Sequence, residues 1–435
     1  MGLVRCRRGE LRHTALVALA SAVLVHGAEA QDDLSDFPQW HPLQPNRVAD
    51  VRNPPPATMS EGFYMRLSRV HELIDADTSD EALELMDRIR PERIGEYEAA
   101  QLYQTYGFVY SQLGREDEAM DAFQKCLELD ALPTHQQQGI VYSVAGYHAT
   151  NQHYEESNAA LLRWFRYESD PIAEAYIFMG ANFAQREMMR EALPYVVRAN
   201  RLAEQPIENW RDLQLAIHVR LGQLADAITL LKDNIGIWPG NVRNYVALSG
   251  LYTETGQDEG ALAALSVPWQ QGMLVAQADI LNLVRLNLFL ENPARAGMTL
   301  EEAMERGHVE GNFENLQLLL NSWTMARETD RAVATIDLLA QLADDGEIHH
   351  RKALLLNETG EWEGVVESCR LAMEKGGLAK PGEVWLLQGV ALAELGKFDQ
   401  AIAAFENAKT SGNDSVRRNA STWIGYVHER SPSSL

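Results

Sequence analysis

The stretch GEVWLLQGVALAELGKFDQAIAAFENAKTSG, residues 382–412, decides the fold. Trp385, Gly389, Leu392, Gly396, Phe398, Ala401, Phe405 and Ala408 are spaced as two helices of about a dozen residues with a turn at Gly396-Lys397. Small residues at Gly389 and Ala401 let the two helices approach closely. Phe398 and Phe405 fill the space beside that contact, and Ala408 leaves room for the first helix of a following unit. One such hairpin cannot bury its apolar face alone, so neighbouring copies must stack.

Copies are present along the chain. Units begin near Phe63, Ala100, Gln138, Ala173, Glu208, Val242, Gln277, Phe313, Gly346 and Gly382, at steps of 33 to 38 residues. The position of Ala401 is held in turn by Ala82, Ala119, Ser157, Ala192, Ala227, Ala261, Ala296, Ala332, Val365 and Ala401. One helical turn later stand Met86, Phe123, Leu161, Val196, Leu231, Leu265, Leu300, Ile336, Cys369 and Phe405, all apolar. Turns are expected at Gly114-Arg115, Asn151-Gln152, Gly222-Gln223, Gly256-Gln257, Gly360-Glu361 and Gly396-Lys397, where Gly or Asn tolerates the left-handed conformation that ends a helix. Pro133, Pro171, Pro206 and Pro239 fall between units. Val267-Pro268-Trp269 should kink its helix or end it early, with Trp269 filling the gap.

These offsets match the tetratricopeptide repeat, and the chain resembles proteins built from it. At 435 residues it exceeds the roughly 250–300 at which a single core stops growing, which suits a repeat array. The expected fold class is all-α: an α-solenoid, or superhelix, of about ten tetratricopeptide-like helical hairpins with a C-terminal capping helix. Residues 61–99 form a degenerate first hairpin, 100–412 the solenoid, and 413–435 the capping helix and tail. In the cap, Ala420, Trp423, Ile424 and Val427 make an apolar stripe, with Arg417, Arg418, Glu429 and Arg430 off it.

The N-terminus reads as an export signal. Arg5, Arg7, Arg8 and Arg12 precede an apolar run from Ala15 to Val25, and Ala28-Glu29-Ala30 offers a cleavage site. Residues 1–30 are therefore a signal peptide, and the mature chain is expected to be periplasmic and soluble, with no transmembrane segment. Residues 31–60, with Pro38, Pro42, Pro45 and Pro54-Pro55-Pro56, form a Pro-rich linker expected to be flexible. The net charge of -24 argues against nucleic acid and anionic lipid and favours a basic protein partner. The first thirty residues hold four Arg and two Glu, so the remainder carries 34 basic against 60 acidic residues. Cys126 and Cys369 fall on apolar helical stripes and read as buried small hydrophobes rather than a disulfide.

No phosphate-binding loop, His-Glu-x-x-His, paired-Cys zinc spacing or nucleophile elbow occurs. His349-His350 are adjacent and point about 100° apart on a helix, which does not suit chelation. Asp32-Asp33, Asp344-Asp345 and Glu301-Glu302 read as solvated charge. The expectation is therefore a non-enzyme with no cofactor. By the repeat template, the first helices of the hairpins present a groove. Its candidates are Gln101, Gln104, Phe108, Gln112, Tyr142, Ile177, Gln185, Asp212, Arg220, Arg243, Glu254, Arg285 and Asn321. The set is mixed polar and lacks the Lys and Asn clamp used to hold a C-terminal carboxylate.

The chain further resembles exported tetratricopeptide proteins that accompany ExbB, ExbD and TonB components of envelope energy-transducing systems. The resemblance is most specific at Gly272-Met273-Leu274 with Ala278-Asp279-Ile280-Leu281, at Lys375-Gly376-Gly377-Leu378 before Pro381-Gly382, and at Trp423-Ile424. It implies a periplasmic scaffold accessory to TonB-dependent uptake, with a basic or Pro-rich protein partner. The alternatives are a general envelope-assembly or secretion scaffold and, more remotely, an enzyme on a helical scaffold.

Overall fold

The computed structural model describes residues 41–44 and 48–430. The expected signal peptide lies outside the described residues. Among them the structure is all-helical, an α-solenoid type of architecture, and it divides into two compact units, with the boundary in sequence between residues 237 and 238.

The first unit holds five helical hairpins: α1 (Glu61–Asp75) with α2 (Ser79–Met86), α3 (Glu96–Gln112) with α4 (Glu116–Leu129), α5 (Thr134–Thr150) with α6 (Tyr154–Tyr167), α7 (Ala173–Gln185) with α8 (Met189–Leu202), and α9 (Glu208–Arg220) with α10 (Leu224–Ile237). The second begins with α11 (Val242–Glu254) and α12 (Asp258–Gln270), then α13 (Gln277–Phe289) and α14 (Pro293–Glu305). It continues with α15 (Phe313–Ala326) and α16 (Thr329–Leu342), α17 (Glu347–Thr359) and α18 (Trp362–Lys375), and α19 (Pro381–Glu394) and α20 (Phe398–Ser411). Helix α21 (Asp414–Arg430) follows; Trp423 stacks on Phe405 at 6.0 Å, and Val416, Ala420 and Val427 are buried.

The Ala401-type position explains the packing. Every member of that series, including Ser157 and Val365, is buried, and so is every larger apolar residue one turn later. Ser157 keeps the small volume and satisfies its hydroxyl by donating to the Ala145 carbonyl at 2.8 Å across the hairpin. The large residue fills space that the facing first helix must vacate. A Cβ added at Gly389 would stand 2.5 Å from Phe405, and one at Gly107 would stand 2.3 Å from Phe123. Burial of each Leu or Phe in the series contributes about 1.5–3 kcal/mol.

Each of the ten hairpins turns through one left-handed residue: Asp77, Gly114, Gln152, Glu187, Gly222, Gly256, Glu291, Arg327, Gly360 and Gly396. In the third hairpin this residue is Gln152, whereas Asn151, the expected turn former, has φ -85°. Four other hairpins also place a non-glycine there, because the packed pair of helices on either side fixes the turn.

Two expectations change. Helix α12 runs on through Pro268 to Gln270 rather than ending early. Proline removes only one N–H near the end of the helix. Its carbonyl then accepts from the amides of Met273 and Leu274 at 2.9 and 3.2 Å. Trp269 packs against the second unit's core, with the Arg306 guanidinium 5.3 Å above its ring. The second change concerns the linker. Residues 41–44 and 48–60 lie against the first unit as a strap with defined anchors, because their proline carbonyl, Asp50, Arg52 and Ser60 find partners at helix ends.

Candidate protein-binding surfaces

In the first unit the groove candidates lie on α3, α5, α7 and α9, and they differ in what they touch. On α3, Gln101 is committed: its amide donates to the Tyr97 hydroxyl at 3.0 Å and to Gln136 at 2.8 Å. Gln104 is half-buried. Phe108 stands 49% exposed, its ring edge-on to Phe123 at 5.3 Å, and Gln112 is exposed one turn further on. A ring held in water by the core beneath it is the kind of anchor that interfaces use. Tyr142 packs edge-on to both Trp164 and Phe178, and burial raises its hydroxyl pKa, with help from the Glu174 carboxylate. Ile177 is half-buried against the unit's core, Gln185 is exposed, and Asp212 is half-buried. Arg220 approaches Glu187 at 3.9 Å.

The remaining candidates belong to the second unit. Arg243 and Glu254 are exposed on α11. Arg285 is half-buried on α13, and Asn321 on α15 accepts from Arg351 at 3.2 Å. The repeat register also exposes two side chains that sequence reasoning missed. Phe289 and Met325 stand at the position of Glu254 in their own helices, 42% and 58% exposed. Their spacing from Glu254 was the signal available.

A second surface, the strap's cradle, is made by side chains and carbonyls at helix ends. His41-Pro42-Leu43-Gln44 forms a tight turn closed by the Gln44 amide on the His41 carbonyl at 3.0 Å, with proline at its preferred second position. Pro42 is buried, and its carbonyl accepts from the Tyr176 hydroxyl at 3.0 Å. Leu43 packs on the cluster that includes Trp164, Phe165, Tyr176, Met179 and Tyr195. The Tyr195 hydroxyl lies 3.2 Å from His41 Nε2, and burial lowers the His41 pKa. Further along, the Asp50 amide donates to the Arg166 carbonyl at 2.9 Å while its carboxylate pairs with the Arg166 guanidinium. Arg52, its side chain only 6% exposed, donates to the carbonyls of Asp130 and Leu132 at 3.2 and 3.3 Å and pairs with the Asp130 carboxylate. A cation so placed satisfies the carbonyl-rich C-terminus of α4. Finally, the Ser60 amide and hydroxyl both donate to Glu98 on α3. None of Arg52, Tyr176 or Tyr195 was singled out by sequence, since no periodicity links the strap to its partners.

Among the described residues, no three His, Cys, Asp or Glu side chains gather as metal ligands would, and no helix is long and apolar enough to cross a membrane. His350 lies 3.7 Å from Glu347. Burial, then Lys375 and Lys352, lowers the His349 pKa.

With this geometry in view, comparison is informative in two stretches. Residues 100–131 and 382–411, the α3–α4 and α19–α20 hairpins, match the tetratricopeptide repeat family model. Among the described residues the protein is thus all-helical, with two hairpins that match the tetratricopeptide repeat. No curated protein matches it. Among solved structures it is similar to YrrB, a TPR protein described as having an unusual peptide-binding site, at 20% identity and TM-score 0.33, covering 39% of this chain and 84% of that one. It is similar also to a tetratricopeptide repeat protein from Parabacteroides merdae (16% identity, TM-score 0.30, 57% and 97% covered). A third likeness is to the C-terminal part of a TPR repeat-containing protein from Cytophaga hutchinsonii (9% identity, TM-score 0.34, 64% and 98% covered).

Proposed function

We propose that this chain is a protein-binding scaffold that holds a partner segment against the exposed faces of its leading helices in the first unit. The observation that carries the reading is Phe108, exposed on α3 above Phe123 and flanked on the same face by Gln104 and Gln112. The acidic excess of the chain supports a basic partner. The finer form of the reading is an exported, periplasmic accessory of a TonB-type uptake system, its partner a basic, Pro-rich envelope segment; the N-terminal signal and the resemblance in the repeats support it. Site-specific photocrosslinking from position 108 and from Gln185 in intact cells tests both forms. Recovery of a basic or Pro-rich protein, weakened by Phe108→Ala, is the expected result. If neither position captures any protein, the scaffold reading falls. If a partner is captured but ExbB, ExbD, TonB and their receptors are absent, only the finer form falls.

A further inference from the structure

The cradle along helices α4, α6, α7 and α8 is occupied by a segment that is not part of any repeat. Its occupant is held at spaced points, with Val48 and Val51 between the anchors 81% and 85% exposed. The anchors are non-covalent: the Tyr176 hydroxyl, and the carbonyls of Asp130, Leu132 and Arg166 at or beyond the ends of helices. The occupant therefore displays the chemistry the surface selects. It is an X-Pro-apolar turn whose proline carbonyl meets a tyrosine hydroxyl. An acidic residue follows, eight positions after the proline, and an arginine two positions later, which reaches the carboxy end of α4.

We propose that this cradle is a peptide receptor for a Pro-apolar turn followed by an acidic-x-Arg pair, filled in cis by residues 41–44 and 48–52 and open in trans to a protein partner carrying the same pattern. The aromatic floor of Trp164, Phe165, Tyr176 and Tyr195 recognises the proline and the apolar residue after it, as aromatic pockets do in other proline-reading modules. The helix-end carbonyls of Asp130 and Leu132, with the Asp130 carboxylate, recognise the arginine. The cis segment competes at the high effective concentration that tethering gives, about millimolar for a short connection, so the intact chain admits a free peptide poorly. A partner must bring further contacts, or the cis turn must be loosened, before exchange occurs. The cradle's anchoring groups do not include Phe108, Gln104 or Gln112, so the photocrosslinking test and the peptide test are read separately.

The test uses a fluorescent synthetic peptide of residues 38–54 and the full chain, read by anisotropy. The wild-type chain is expected to bind it weakly. Pro42→Gly combined with Leu43→Ser empties the pocket and is expected to tighten binding at least tenfold. In that background Tyr176→Phe should weaken it severalfold, and a peptide with glycine in place of its proline should not bind. Should the double variant fail to fold by circular dichroism, Asp50→Ala with Arg52→Ala loosens the distal anchors alone and should tighten binding severalfold. If a folded variant of either kind binds the probe no better than wild type, the segment is a fixed strap and the proposal is overturned.

Discussion

The Ser60 backbone amide and its hydroxyl both donate to the same oxygen of Glu98, each at 2.6 Å, and join the first residue before α1 to the opening turn of α3. The other Glu98 oxygen accepts from the Gly95 amide at 3.1 Å. Burial works to raise this carboxyl, but the hydrogen bonds from Ser60 and Gly95, with the Arg66 charge, outweigh it and hold the group below its ordinary 4.5. A carboxylate with a depressed folded pKa contributes stability that is present above its unfolded value and lost as pH falls through the folded one. The contact between α1 and α3 should therefore loosen first below about pH 4.5. Hydrogen exchange of α1 amides against pH measures this, and equal protection at pH 3.5 and 7 would contradict it. Glu98→Ala strands three donors and should cost about 1–3 kcal/mol.

Gly389 and Gly250 should respond to alanine with opposite signs. The added Cβ at 389 would sit 2.5 Å from Phe405, while at 250 it would meet nothing within 4 Å. Gly389→Ala should destabilise the second unit by about 1–3 kcal/mol, and Gly250→Ala should stabilise it by about 0.5–1 kcal/mol. Pairing Gly389→Ala with Phe405→Leu should recover part of the loss, giving a coupling of at least about 0.5 kcal/mol in urea unfolding. Strict additivity would mean that the close contact is not what the glycine relieves.

At the hairpin turns, Glu187 and Gly222 adopt the same left-handed conformation, with φ of 60° and 71°. Gly222→Ala should cost about 1 kcal/mol, since only the backbone penalty changes. Glu187→Gly removes that penalty but frees the unfolded chain, so its net effect should be neutral to stabilising by less than about 1 kcal/mol. Thermal melts of the two variants compared with wild type decide it. A Gly222→Ala protein as stable as the parent would show that the turn relaxes to another conformation.

Cys126 and Cys369 are fully buried and unpaired, and burial pushes both thiols up to about 12. The Cys126 thiol donates to the Ala100 carbonyl at 3.2 Å. At neutral pH almost no thiolate exists to react. Peptide mapping after brief alkylation at pH 8 should find both unmodified in the native protein and both modified in urea. Rapid native labelling at either position would place it at the surface.

The hairpins were readable because their packing repeats. Ala82 to Ala401 and Met86 to Phe405 recur at near-constant spacing, and one physical requirement, a small residue facing a large one, explains both series. The places where sequence misled are places where context overrides local preference. Asn151 is the better left-handed residue in isolation, yet the helix geometry puts Gln152 there. Pro268 near a helix end costs one hydrogen bond, which is too little to end α12. The strap was invisible for a different reason. Proline spacing predicts an extended chain, but nothing in residues 41–60 says which helix ends will receive them. Of the groove candidates, Phe108 and Gln185 could be placed on an exposed face by register, whereas the internal hydrogen bonds of Gln101 depend on Gln136 in the next hairpin.

The bond from Tyr176 to Pro42 spans 134 residues, while each hairpin closes on its own near neighbours. In a chain made from its N-terminus, residues 41–52 emerge before every hairpin. The hairpins behind them can close one at a time as they appear, but the turn at Pro42 has no destination until α7 and α8 exist. Its docking thus follows the fourth hairpin, and an engaged strap requires that the second, third and fourth hairpins are already in place.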